Sequence, residues 1–226
     1  MQADKEENIM KKKSQKQLAL FLTTWFLMSG ATFAATYTDT VTTCPIEDNS
    51  VITVDAKPGI EPNASDIDTG KGITITMTGA DNELGAINAN GKTITIGDGL
   101  KINASAIASP VGTFSAIGVK SVGTDSVINM GSANITTGTN ALAIYAKGDG
   151  VINGSGIYNI KGNIIADDNG IINLTFESGS SLVGKIQSIN DNAIGTKTKL
   201  DVTFNDSTIE GTIAGSSVTT TLNNTY

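Results

Sequence analysis

Three short stretches decide the fold: Ser126-Val-Ile-Asn-Met130, Gly150-Val-Ile-Asn-Gly154 and Gly170-Ile-Ile-Asn-Leu174, whose starts lie 24 and then 20 residues apart. A β-branched pair followed by asparagine reads as a short strand, and self-similarity at this period marks a repeat architecture. Glycine-containing turns separate the strands: Ala89-Asn-Gly91, Gly97-Asp-Gly99, Gly148-Asp-Gly150 and Asp168-Asn-Gly170. Two weaker echoes accompany them. Ile73-Thr-Ile-Thr76 and Ile94-Thr-Ile-Gly97 start 21 residues apart, and Ala116-Ile-Gly-Val-Lys120 resembles Ala143-Ile-Tyr-Ala-Lys147.

Helical periodicity is absent after residue 34, so the expected class is all-β. Strands recurring every 20 to 24 residues suit a solenoid, a right-handed parallel β-helix in which each turn of chain stacks on the last at about 4.8 Å. Equivalent side chains then form ladders. The repeats predict one column of Ile128, Ile152 and Ile172, a second of Val127, Val151 and Ile171, and an amide ladder of Asn129, Asn153 and Asn173. Residues 51–72 and 100–125 match the repeat poorly and are expected to hold loops. An outer-membrane barrel would need two aromatic girdles, whereas only seven aromatics follow residue 34. A β-sandwich or jelly roll does not account for the repeats.

The N-terminal segment reads as an address. Lys11-Lys-Lys-Ser-Gln-Lys16 precedes the apolar run Leu18–Met28, and Ser29-Gly-Ala-Thr-Phe-Ala34 follows it. This is the layout of a secretory signal peptide, with an apolar stretch too short to span a bilayer, which takes about 20 residues. The expectation is a signal-peptide helix over residues 1–34 handled by the Sec export machinery, with cleavage after Ala34 and Ala35 as the nearest competitor. Met10 is a plausible alternative start. An entry or cap segment is then expected over 35–50 and the coil over 51–226, with its C-terminal end uncapped.

Composition removes many functions. All 15 basic residues are lysine, so the forked guanidinium that clamps phosphate or reads guanine is missing. The chain after residue 34 holds 10 lysines against 19 acids, a net charge of −9, and nucleic acid is excluded as a partner. The complete absence of histidine removes Ser-His-Asp and Cys-His nucleophile systems and most zinc hydrolases. A single cysteine, Cys44, provides no intrachain disulfide and reads as an incidental thiol unless a second chain pairs with it. Seven Asn-x-Ser/Thr sequons, at Asn63, Asn103, Asn134, Asn153, Asn173, Asn205 and Asn223, are near what composition alone produces.

Catalytic candidates fare poorly. Asp167-Asp168 is an adjacent acidic pair, but its Asn-Gly context reads as a turn rather than as two carboxyls facing across a cleft. The two Gly-Asp-Gly sites lack the tandem spacing of calcium-binding solenoids, and Gly154-Ser-Gly156 lacks the context of a phosphate loop. No catalytic, cofactor-binding or metal-binding residue is assigned, and no cofactor is expected. A secreted β-helix that acts on or binds polysaccharide is the alternative reading.

With the signal peptide, the Val/Ile-Ile-Asn strands, the Gly-Asp-Gly turns and the Thr/Asn/Gly-rich composition in hand, residues 50–226 resemble the passenger region of bacterial autotransporters of the pertactin-like and AIDA-like adhesin group. The likeness is clearest in Ala143-Ile-Tyr-Ala-Lys-Gly-Asp-Gly-Val-Ile-Asn153, in Leu200–Gly211 and in Ser217–Tyr226. The resemblance implies a non-enzymatic adhesin with host-surface or self-association partners. It also implies a C-terminal translocator barrel, which this chain does not contain, so a truncated passenger is expected, in the periplasm or, as part of a complete autotransporter, at the cell surface or outer membrane.

Overall fold

Stretches that alternate a polar side chain with isoleucine place one face in an apolar interior and the other in water, and each becomes a short strand. The computed structural model describes residues 34–79, 84–107, 116–189 and 197–226. Within the unit Ala34–Tyr226 the described residues contain strands and no helix, and every strand pairing is parallel. The antiparallel hairpins of a sandwich or jelly roll do not occur among them.

The strands sort into three faces of a solenoid-like coil. Face A holds Thr36–Tyr37, Val51–Val54, Thr74–Met77, Leu100–Ala104, Ala133–Thr137 and Tyr158–Lys161. Face B holds Leu84–Asn88, Ala116–Val122, Leu142–Lys147 and Asn163–Asp167. Face C holds Ile67–Asp68, Thr93–Ile96, Val127–Met130, Val151–Gly156, Ile171–Phe176, Lys199–Asn205 and Val218–Asn223. One long strand, Ser181–Ile189, pairs with both A and B and joins them into one sheet, and Thr208–Ala214 pairs along it one turn later. The chain visits C, A and B in turn, so each strand bonds to its counterparts one turn earlier and one turn later.

The predicted columns are present. Ile152 pairs with Ile128 on one side and Ile172 on the other, and Val151 with Val127 and Ile171. The isoleucine column is longer than the repeats suggested: Ile67, Ile94, Ile128, Ile152, Ile172 and Leu200 are all fully buried along face C. Burial of each such side chain contributes about 1.5–3 kcal/mol against conformational entropy. At the interior corner between C and A the aromatics stack. Tyr158 meets Phe176 edge-on at 5.0 Å between centroids, and Phe176 lies 4.5 Å from Phe204. The Tyr158 hydroxyl donates to the Met130 carbonyl at 3.2 Å. Burial, reinforced by the charges of Asp98 and Glu177, pushes its ionisation above the ordinary range.

The two weaker echoes do not form ladders. Ile73-Thr-Ile-Thr76 leads into face A while Ile94-Thr-Ile-Gly97 lies on face C, so similar strand chemistry recurs on different faces. Ala116–Lys120 and Ala143–Lys147 do sit on neighbouring strands of face B, but Ile144 opposes Val119 and Lys147 opposes Val122, a register two residues from the one the echo implies. A matched tripeptide fixes strand chemistry; packing fixes register.

The poorly matching segments 51–72 and 100–125 supply strands as well as connections, among them Val51–Val54, Ile67–Asp68, Leu100–Ala104 and Ala116–Val122. Residues 35–50 take part in the coil: Thr36–Tyr37 pairs with Val51–Ile52, Val41 bridges Ile60, and Ile46 bridges Thr69. The expected signal-peptide helix falls outside the described residues. At the other end Thr208–Ala214 and Val218–Asn223 leave apolar side chains in water, with Ile213 44 % and Leu222 56 % exposed.

Candidate functional site

The asparagine repeat forms a hydrogen-bonded ladder on the outside of face C. Asn153 Nδ2 donates to Asn129 Oδ1 at 3.1 Å, and Asn173 Nδ2 donates to Asn153 Oδ1 at 2.9 Å. The same direction of donation recurs between Asn223 and Asn205 at 2.9 Å. Four of the seven sequon asparagines, Asn153, Asn173, Asn205 and Asn223, therefore use their amide nitrogens inside the coil's own bonding; Asn205 donates to Glu177 at 3.3 Å.

Face A carries a second polar surface, which the fixed-period reading of the sequence missed. Alternation turns two rows of side chains outward. One row is Thr74, Lys101, Asn134, Asn159 and Ser181; the other is Thr76, Asn103, Thr136, Lys161 and Val183. The signal was the recurring polar-Ile-polar triplet, in Thr74-Ile-Thr76, Lys101-Ile-Asn103, Asn134-Ile-Thr136 and Asn159-Ile-Lys161. Their unequal spacing hid them from a search at one period. Between Thr74 and Val183 neither row contains a carboxylate, although the chain as a whole is acidic.

This surface is concave. One hollow of about 420 Å³ lies over Thr74, Thr76, Lys101, Asn103 and Asn134. A second of about 290 Å³ continues toward the corner with face B, over Gly138–Ala141, Lys161–Asn163 and Val183–Gly184. Both hollows share Ser105 and Thr136, so they form a continuous groove among the described residues. Backbone forms its floor at the corner: a Cβ on Gly184 would collide with the Gly162 carbonyl. Ser105 Oγ, at the rim, donates to Asn103 Oδ1 at 2.7 Å and fixes that amide.

The acidic pair separates into two unlike residues. Asp167 is buried, accepts from the Tyr145 hydroxyl at 2.9 Å and pairs with Lys147 Nζ at 3.3 Å. Asp168 and Asn169 have φ of 41° and 68° and form the centre of a turn closed by Gly170 N–H donating to Asp167 O at 2.8 Å. The turn reading is what the backbone adopts. Gly148-Asp-Gly150 makes the equivalent turn one coil earlier, with φ of 59° at Gly148 and 69° at Asp149. Cys44 is exposed, and its Sγ accepts from the Asp68 amide at 3.0 Å. Ala34, the expected cleavage residue, is exposed immediately before the first paired strand. Among the described residues no group of three or more acidic or thiol side chains is arranged to hold a metal ion.

No protein-family model, curated protein or solved structure matches this chain.

Proposed function

We propose that the chain is an exported, non-enzymatic adhesive rod of the autotransporter-passenger type, wound as a right-handed parallel β-helix and delivered through the Sec machinery after removal of residues 1–34. It attaches to host surfaces or to other copies of itself. The observation that carries this reading is the asparagine ladder, in which identical polar groups repeat at the strand spacing on a rigid support. Contacts too weak to hold singly then add through avidity, because binding at one rung raises the effective concentration of the next.

Coated beads test the proposal. Microspheres carrying the purified chain are expected to clump with one another or to coat an epithelial cell layer. Beads that remain dispersed and leave the cells bare would overturn it, as would release of reducing ends or unsaturated uronates from a polysaccharide panel, which would make the chain an enzyme.

A further inference from the structure

We infer that the face A groove binds an acidic linear glycan, one bearing a carboxylate on every second sugar; this rests on the adhesive reading above and names a partner for it. A chain with a net charge of −9 after residue 34 repels polyanions at long range, yet this groove presents only lysines as charged groups along its two outward rows. Repulsion from carboxylates elsewhere is screened beyond about 8 Å at physiological salt, so the local field at the groove decides binding.

Spacing supplies the second step. Lys101 and Lys161 lie in neighbouring outward rows on face A strands separated by one intervening strand, Ala133–Thr137, which puts them about 10 Å apart along the coil axis and about 7 Å apart across it. A pyranose ring in an extended glycan advances by a length close to the strand spacing of about 4.8 Å. One carboxylate per disaccharide therefore matches one lysine per two strands. From Thr74 to Val183 the groove covers five strands, or about 19 Å, room for roughly four rings. Glu210, opposite Val183 on the next strand, ends the favourable stretch.

The wall chemistry selects sugar over peptide. Hydroxyls and amides from Thr74, Asn103, Asn134 and Thr136 pair with a polyhydroxylated ligand. An extended acidic peptide would need either a free strand edge or apolar pockets for its side chains, and the face A strands here are bonded on both edges. Among the described residues the groove presents no aromatic ring as a stacking platform, and charge and hydrogen bonding hold the glycan.

The test is titration of the full chain with a hyaluronan hexasaccharide, its carboxyl-reduced counterpart and a poly-glutamate peptide. Binding to the hexasaccharide is expected, weakened at least tenfold by carboxyl reduction and by Lys101→Gln with Lys161→Gln, and unchanged by Lys92→Gln on another corner. Absence of hexasaccharide binding, indifference to the paired substitution, or equal binding of poly-glutamate would each overturn the inference. The coated-bead assay on the unmodified chain separates the two claims: adhesion without hexasaccharide binding removes only this inference, whereas absence of adhesion removes the function on which it rests.

Discussion

Asn153 illustrates how much a single position specifies. Its amide donates to Asn129 and accepts from Asn173, so the ladder has a direction, with donors pointing toward the earlier turn. The direction makes otherwise identical substitutions unequal. Asn129→Asp retains an acceptor where Asn153 donates and is expected to cost less than about 0.5 kcal/mol. Asn153→Asp sets a carboxylate oxygen against Asn129 Oδ1 and is expected to cost about 1–3 kcal/mol. Urea unfolding of both variants checks this, and equal losses would contradict it. The ladder was legible in the sequence because three asparagines share one strand position in consecutive turns. The Tyr145–Asp167–Lys147 contact was not, since it joins unlike residues of Leu142–Lys147 and Asn163–Asp167, strands whose sequences do not echo one another.

Strands in this coil are too short to persist alone, so each depends on its neighbours in adjacent turns. The Tyr158, Phe176 and Phe204 stack shows the consequence: aromatics from one face A strand and two neighbouring face C strands fill one interior corner. Phe176 touches both of the others and is fully buried, so Phe176→Ala is expected to cost about 3–5 kcal/mol and to lower the unfolding midpoint. Denaturant titration measures it, and a loss below about 1 kcal/mol would mean that the corner repacks. The aromatics were visible as residues but their meeting was not, because 18 residues separate Tyr158 from Phe176 and 28 separate Phe176 from Phe204. Unequal turns also explain why the face A groove was missed: its triplets recur, but with insertions between them.

For the whole molecule, the parallel coil presents two different ways to associate. Its sides carry polar ladders, while Ile213 on Thr208–Ala214 and Leu222 on Val218–Asn223 are apolar side chains in water. Exposed apolar edge strands pair with one another nonspecifically, and inserted lysines block that pairing. Ile213→Lys with Leu222→Lys is therefore expected to abolish association through these apolar side chains, seen as loss of high-mass species in light scattering, while leaving the folded coil intact. Persistence of those species would place the contact elsewhere. The overall class, all-β and parallel, was legible from strand length, turn chemistry and repeat. This double variant isolates attachment by the ladders. The most direct measurement is the coated-bead assay performed with the Ile213→Lys, Leu222→Lys chain: clumping or cell coating that survives the loss of these apolar contacts is the result expected of a rod that adheres through its sides, and dispersed beads on bare cells would contradict it.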